Sequence, residues 1–272
     1  MAIDLHLKGY YGKPTSHTVG GQKKQGTNTF FGYATAALLH KKRRYTVALC
    51  TLQAGWKSHE IVSCLLAQIE EKKLKIQGVT LDSGFDGGAV FKLLQERHLA
   101  YSVPMRRKGK GHNPRNDRFQ GRHRQVSWLE WPIKATGEKV RTRVVLWKGP
   151  SKTMLFAFDG WDAHRARNVH QQAMTARRVY RRRFGIETSY RQKNQAEANT
   201  TSSHSVYRLL LQGIAYLLRQ IWVVLTEQLA RSKRKPLNNV WIGSLPFARL
   251  LDWLADDLKD VHKENHAIPL LI

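Results

Sequence analysis

The stretch Val79-Thr80-Leu81-Asp82-Ser83-Gly84-Phe85-Asp86-Gly87-Gly88 decides the fold class. Its first four residues read as a short strand, which stops at Ser-Gly-Phe-Asp-Gly-Gly, a run of turn formers. Beyond it Val90, Phe91, Leu93 and Leu94 recur at the spacing of an amphipathic helix, and residues 101–105 read as another strand. Strand, turn, helix and strand together make an α/β unit. In such a sheet the C-terminal end of a strand opens onto a crevice, where an acid is held rigidly yet stays exposed to a ligand. Asp82 has that placement.

Upstream, Ile3, Leu5 and Leu7 alternate with Asp4, His6 and Lys8, the period-two pattern of a strand with one polar face. Residues 27–40 and 45–52 read as two further strands joined by the basic turn from Lys41 to Arg44, which predicts a three-stranded meander. Ser58 is expected to cap a helix whose Ile61, Val62, Leu65, Leu66 and Ile69 repeat every three or four residues, ending near Lys75. The order is then three strands, helix, strand, helix, strand.

Downstream, residues 106–124 are rich in Arg, Lys, Gly, Asn and His, and predict a mobile basic loop suited to phosphate contact. Residues 125–159 carry three short β-like runs, split by the turn at Thr136 and Gly137, and predict a small β insertion. The remainder reads as helical. Its apolar run from Tyr207 has the length of a membrane span, but Arg208, Gln212, Arg219 and Gln220 in and beside it favour a buried core helix. The expected organisation is a core in two parts, 1–105 and 161–230, interrupted by a basic loop and β insertion at 106–160 and followed by a helical tail at 231–272.

Composition narrows the partner. The 272 residues are 42% hydrophobic, enough to bury a proper core, yet 46 Lys and Arg against 20 Asp and Glu leave a net charge of +26. Each phosphate neutralised by Lys or Arg releases condensed counterions, so nucleic acid is the expected partner. A membrane surface or a solvated basic face would not need basic residues along the whole chain. Cys50 and Cys64 are the two cysteines, without CxxC spacing or a Cys/His cluster, which argues against a disulfide framework and zinc. The acid at position 4 and the alternation around it argue against a signal sequence, so the expected setting is the cytoplasm.

Three acids are placed for chemistry: Asp4 in the first strand, Asp82 at the end of the fourth, and Glu187 in the helical half. Carboxylates are hard oxygen ligands for Mg²⁺ or Mn²⁺, and phosphodiester transfer uses such ions on the attacking and leaving oxygens. With these residues the chain resembles the DDE-type insertion-sequence transposases, whose ribonuclease-H-like fold carries Asp, Asp and Glu in these settings. It is similar to the branch with a Tyr-x2-Arg-x3-Glu-x6-Lys signature, matched by Tyr180, Arg183 and Glu187. The lysine position holds Asn194, with Lys193 one residue early and Arg191 four residues after Glu187. The branch's Asp-Arg-Gly-Phe or Tyr reads Asp82-Ser83-Gly84-Phe85 here, and the 105-residue offset from Asp82 to Glu187 leaves room for its β-rich insertion.

The resemblance implies a ribonuclease-H-like mixed sheet with flanking helices, a β-rich insertion before the glutamate helix and a helical C-terminus. It implies DNA strand cleavage and strand transfer by Asp4, Asp82 and Glu187 holding two Mg²⁺, with Mn²⁺ able to substitute. Tyr180, Arg183, Arg191 and Lys193 would contact DNA, and Trp128, Trp131 or Trp147 would stack on a flipped base. The implied partners are the double-stranded DNA of transposon ends and target, bound by a homodimer on paired ends in a prokaryotic nucleoid, with no membrane. Family members usually carry an end-recognition domain before the first catalytic strand, so a non-catalytic DNA-binding or inhibitor form is the alternative, and a related ribonuclease-H-like nuclease a third.

Overall fold

The computed structural model describes residues 1–40, 43–109, 113–119, 126–133, 135–161, 168–232 and 245–265. Parts of the expected basic loop (110–112 and 120–124), of the start of the helical half (162–167) and of the tail (233–244 and 266–272) lie outside the described residues. The chain divides into two compact units, Met1–Ile186 and Glu187–Ile272.

The first unit opens with β1 (Ala2–Gly9), β2 (Thr18–Lys24), β3 (Thr27–His40) and β4 (Arg43–Thr51), followed by α1 (Ser58–Glu71), β5 (Gly78–Thr80), α2 (Gly88–Glu96) and β6 (Ala100–Met105). After these come α3 (Pro114–Phe119), β7 (Val126–Pro132), β8 (Lys139–Lys148), β9 (Thr153–Asp159) and α4 (Val169–Arg181). One mixed sheet runs β2-β3-β1-β5-β6-β9-β8-β7, with β4 also paired to β3. β1 and β3 pair antiparallel, β1 with β5 and β5 with β6 parallel, and β6 with β9 antiparallel. The architecture is mixed α/β. The runs expected to form a β insertion extend the central sheet outward from β6, because β9 supplies the ladder that β6 would otherwise leave open.

The main core lies between the sheet and α1 and α2. Ile3, Val79, Leu81 and Val103 pack there against Val62, Leu65, Leu66, Phe91 and Leu94, all essentially inaccessible to water. Helix α1 begins one residue earlier than expected at its cap: Lys57 is the N-cap, and its backbone N–H donates to Glu60 Oε2 at 2.6 Å. Ser58 instead donates its hydroxyl to the Gly84 carbonyl at 3.3 Å, tying the start of α1 to the turn after β5. Strand β2 is not legible in the sequence, since Thr18-Val-Gly-Gly-Gln-Lys-Lys has no apolar alternation; pairing with β3 sustains it.

Gly78 shows how closely β5 and β6 approach. A Cβ there would overlap the backbone carbonyl oxygen of Ala100, its partner across the parallel ladder. A backbone atom cannot swing aside as a side-chain tip can, so Gly78→Ala is expected to destabilise the first unit by about 1–3 kcal/mol. A urea-unfolding midpoint equal to that of the unaltered chain would show that the strands are not held this tightly.

The helices ending the chain are α5 (Gly185–Lys193), α6 (Ser205–Ser232) and α7 (Phe247–Asn265). Within the second unit the polar residues of α6 point inward: Gln212 accepts from the buried Lys193 ammonium at 2.9 Å, and Arg208 donates to the carbonyls of Thr200 and Ser202. Trp222 donates its indole N–H to the Leu245 carbonyl at 2.8 Å and packs on Phe247 at the start of α7. The expectation of a buried core helix at 207 is therefore corrected. Helix α6 buries Arg208, Gln212 and Arg219 together with Ala215, Tyr216 and Val223, and leaves Leu210 and Leu217 more than half exposed.

Candidate active site

The sheet register brings the first two acids together. Ala2 pairs with Thr80 across the parallel β1–β5 ladder. Two residues on, Asp4 and Asp82 are therefore level, on chains about 4.8 Å apart, and period two places both side chains on one face. Asp82, two residues past β5, caps a 3₁₀ turn over Ser83–Phe85, its Oδ1 accepting from the Ser83 N–H at 2.7 Å. Asp4 Oδ1 accepts from the Leu5 N–H at 3.0 Å.

Helix α4 covers this face of the sheet. Ala173, Ala176 and Tyr180 pack on Val145, Trp147, Phe156 and Phe158, and the Ser102 hydroxyl donates to the Ala176 carbonyl at 3.3 Å. The helix tightens into a 3₁₀ turn over Arg182–Phe184, from which Arg183 reaches both acids. Its Nη1 lies 3.1 Å from Asp4 Oδ2 and its Nη2 3.5 Å from Asp82 Oδ1. The Arg183 side chain is 6% exposed, against 14% for Asp4 and 37% for Asp82.

Arg183 Nε and Nη1 lack hydrogen-bond partners even though Nη1 sits within ion-pair distance of Asp4. The angle, not the separation, fails, so the contact is ionic rather than a bidentate fork. Burial on its own would lower the Arg183 pKa; the fields of Asp4, Tyr180 and Asp82 outweigh it and hold the guanidinium above its usual value. Burial raises the Tyr180 phenol, an effect the adjacent Arg183 charge partly offsets. Tyr180 is wedged between Phe156 and Phe184, with both ring centroids 5.5 Å away.

The 3₁₀ turn corrects the reading of Tyr180, Arg183 and Glu187 as one stripe on an unbroken helix. The α-helix is interrupted there by three residues at about 120° instead of 100° each, a phase shift of about 60° between Tyr180 and Glu187. Glu187 and Arg191 are exposed on α5 in the second unit. Lys193 is fully buried, its ammonium 2.7 Å from Glu197 Oε2 and 2.9 Å from Gln212 Oε1, so a phosphate contact would have to dismantle that pair. Thus Asp4, Asp82, Arg183 and Tyr180 form one cluster within the first unit, while the remaining three expected residues belong to the second.

The donor set suits a hard divalent ion. Asp4 and Asp82 offer carboxylate oxygens that meet on the same guanidinium, and among the described residues Asp82 Oδ2 carries no hydrogen bond. Mg²⁺ takes one or two carboxylates and fills its remaining positions with water and substrate phosphate. Among the described residues no three His, Cys, Asp or Glu side chains gather as a ready-made cage.

A second cluster braces Asp82 from behind. Arg106, just past β6, donates its Nε to Ser83 Oγ at 2.6 Å, while its backbone N–H donates to Asp86 Oδ2 at 3.1 Å. Asp86, its side chain 1% exposed, pairs with the buried Arg115 of α3, and that guanidinium lies 4.0 Å above the Trp131 ring. Residues 113–119 are therefore not part of a mobile loop. Asn113 Oδ1 accepts from the N–H groups of Arg115 and Asn116 at the start of α3, and Pro114 occupies a first-turn position. Asn-Pro is the available sequence signal for this helix; the Asp86–Arg115 pair, formed across 29 residues, has none.

Three tryptophans divide by environment. Trp147 is buried with the Arg177 guanidinium 3.9 Å from its ring, and Trp131 is half-buried against Phe91 at 5.4 Å. Trp128 is 44% exposed, with Arg141 4.8 Å over its face. On the outer side of α4 a shallow groove is lined by Met174, Arg177, Arg178, Arg181 and Arg182.

No family model matches the sequence, and no curated protein matches it. Among solved structures, the chain is similar to a piggyBac transposase, determined by cryo-EM as a synaptic complex with hairpin DNA, at a TM-score of 0.63 and 14% identity. The similarity covers 99% of the chain and 54% of that transposase, so the chain spans about half the length of its neighbour. The two share a transposase-like fold.

Proposed function

We propose that this chain is the catalytic region of a DNA transposase that cleaves DNA strands and transfers them, using Asp4, Asp82 and Glu187 as ligands for two Mg²⁺, or Mn²⁺ in their place. The observation that carries the proposal is the meeting on Arg183 of Asp4, within β1, and Asp82, just past the end of the parallel strand β5. The structural neighbour is a transposase held with hairpin DNA, and a charge of +26 suits a phosphate-rich substrate. We further read the sheet as a ribonuclease-H-like core of the DDE insertion-sequence branch, acting as a homodimer on paired transposon ends in a prokaryotic cytoplasm.

Divalent ions held there would supply Lewis-acid stabilisation of the attacking and leaving oxygens. β1 and the turn after β5 fix the backbones of both acids, and Arg183 would have to share their carboxylates with the ions. Arg183 and Tyr180 stand beside the acids to orient a phosphate, and the arginine groove on α4 offers a path for the DNA backbone. Among Trp128, Trp131 and Trp147, Trp128 is the most exposed and the one open to a base, worth about 1–3 kcal/mol in stacking.

The test incubates the chain with supercoiled DNA bearing the ends of its encoding element, in Mg²⁺, Mn²⁺, Ca²⁺ or chelator. Nicked and linear products in Mg²⁺ and Mn²⁺, absent in chelator, are expected. Cleavage that persists without divalent ions, or DNA binding without cleavage under any ion, rejects a metal-dependent transposase.

A further inference from the structure

The end of β1 and the β2–β3 hairpin together make a basic tip that carries an exposed aromatic ring. β2 and β3 are joined by Gln25 and Gly26, both at positive φ, 47° and 86°, a two-residue turn whose twist matches that of its strands. Left-handed backbone suits glycine far better than glutamine, so the turn carries a cost at Gln25. It aims the Gln25 carbonyl at Tyr11, whose hydroxyl donates to it at 2.7 Å.

Tyr11 is 72% exposed, yet it is held at both ends. Its backbone follows that of Tyr10, which is anchored three ways. The Tyr10 N–H donates to the Thr29 carbonyl at 2.9 Å, its carbonyl accepts from the buried Thr27 hydroxyl at 2.7 Å, and its ring packs edge-on against Phe31 at 4.9 Å. The Tyr11 ring passes close to Gly9 and Gly26, where an added Cβ would touch it at 3.8 and 4.0 Å, so no side chain at those positions covers it. Ordering a side chain costs conformational entropy, and a hydrogen bond open to water contributes little. A ring fixed in this way while burying so little of itself is preorganised for a flat partner.

Charge says which flat partner. Residues 5–59 hold nine Lys or Arg and no Asp or Glu. Lys13, Lys23 and Lys24 are exposed, and each lies within two residues of Tyr11 or of Gln25. An open aromatic face in a run of cations without acids suits a nucleobase carried on a phosphate backbone. Within a duplex each base is stacked between its neighbours and offers only its edges to the grooves. The base that can lie on Tyr11 is therefore an unpaired one.

We infer that this tip is a binding site for single-stranded DNA, with an unpaired base stacked on Tyr11 and with Lys13, Lys23 and Lys24 on the flanking phosphates. Because β1 and β5 run parallel, the tip lies off the same end of the sheet as Asp82. At about 3.3 Å per residue Tyr11 stands up to about 23 Å beyond Asp4, roughly seven base steps of 3.4 Å. A strand opened at the acids can reach it. The site is separate from the acids, and the inference rests on the proposed function only in taking the strand as DNA rather than RNA.

The test measures fluorescence anisotropy with the full chain in chelator, so that divalent ions play no part, on labelled oligo-dT and on a blunt duplex of equal length. Tyr11→Ala is expected to weaken oligo-dT binding by about 5- to 150-fold, the worth of one stacked base, and to leave duplex binding within about twofold. Its urea-unfolding midpoint should not move, because so exposed a ring adds little to the core. Tyr11→Phe keeps the face and loses only the hydrogen bond, so it should retain most of the affinity. Lys13→Gln/Lys23→Gln/Lys24→Gln should flatten the slope of log affinity against log salt for oligo-dT by about 2, at about 0.7 per phosphate neutralised. Undiminished oligo-dT binding by Tyr11→Ala, equal losses on oligo-dT and duplex, or an unchanged salt slope in the triple variant overturns the proposal. Oligo-rU bound more tightly than oligo-dT overturns the assignment to DNA. Cleavage is not read, so a failure of the catalytic reading leaves each of these outcomes decisive.

Discussion

Asp82→Asn is expected to lower divalent-ion-dependent DNA cleavage by on the order of 10³-fold or more, the scale seen when one preorganised electrostatic group is removed from an active site. The substitution preserves shape: an asparagine oxygen can still accept the Ser83 N–H that sets the turn. It removes the negative charge needed by a hard cation, and leaves Arg183 with Asp4 as its ionic partner. At 37% exposure the side chain contributes little to stability, so thermal unfolding should scarcely move. DNA affinity should stay within about twofold, because phosphate contacts by Lys and Arg dominate binding. Undiminished cleavage by this variant removes Asp82 from the chemistry. Loss of cleavage accompanied by loss of folding would show instead that the carboxylate serves the turn.

Arg115→Ala carries the largest expected cost to stability. The Asp86–Arg115 pair is almost completely buried, and burial pushes the two partners in opposite directions, raising the Asp86 carboxyl and lowering the Arg115 guanidinium. Both shifts disfavour charge, so the pair gains little over an apolar substitute, yet removing one partner leaves the other charged and dry. The loss should be about 3–5 kcal/mol, read by denaturant unfolding. Asp86→Ala/Arg115→Ala should recover part of it, since no uncompensated carboxylate remains. The pH dependence has a definite sign. A carboxyl whose pKa is raised on folding costs stability as pH rises above its unfolded value, so the deficit of Arg115→Ala should shrink as pH falls to about 4. A deficit that grows on acidification, or a double variant worse than the single, would mean that Asp86 is not left charged and unpaired.

Much of the first unit is legible in sequence alone. Alternation around Asp4, the helical repeat from Ile61 and the break after Asp82 each depend on neighbours within a few residues, which is the range over which pattern is informative. The runs around Trp128, Val144 and Phe156 read as strands for the same reason. Their place in the sheet does not, because pairing of β9 with β6 is decided across more than fifty residues. Strand β2 and helix α3 escape for opposite reasons: one lacks an apolar face, and the other is anchored by a distant acid.

The candidate site shows the same division. Asp4 and Asp82 are identifiable as strand-borne acids, and the Ala2–Thr80 register brings them level. The resemblance singles out Arg183 as a DNA contact, whereas its ion pairs with both acids depend on α4 lying across the sheet. The 3₁₀ turn between Tyr180 and Glu187 escapes the sequence reading because one turn of tighter helix cannot be told from α-helix by composition. Lys193 is held by Glu197 and Gln212, partners that spacing from Glu187 does not reveal.

Two carboxylates held side by side on a rigid sheet would push each other apart if nothing stood between them. The guanidinium of Arg183 already cancels half of that negative charge, and it is part of the chain. Folding of this region therefore has no built-in need for a dissolved cation, unlike small domains that collapse only around a metal. The ionic content of the medium would govern when such a protein works, leaving intact the scaffold that waits for it.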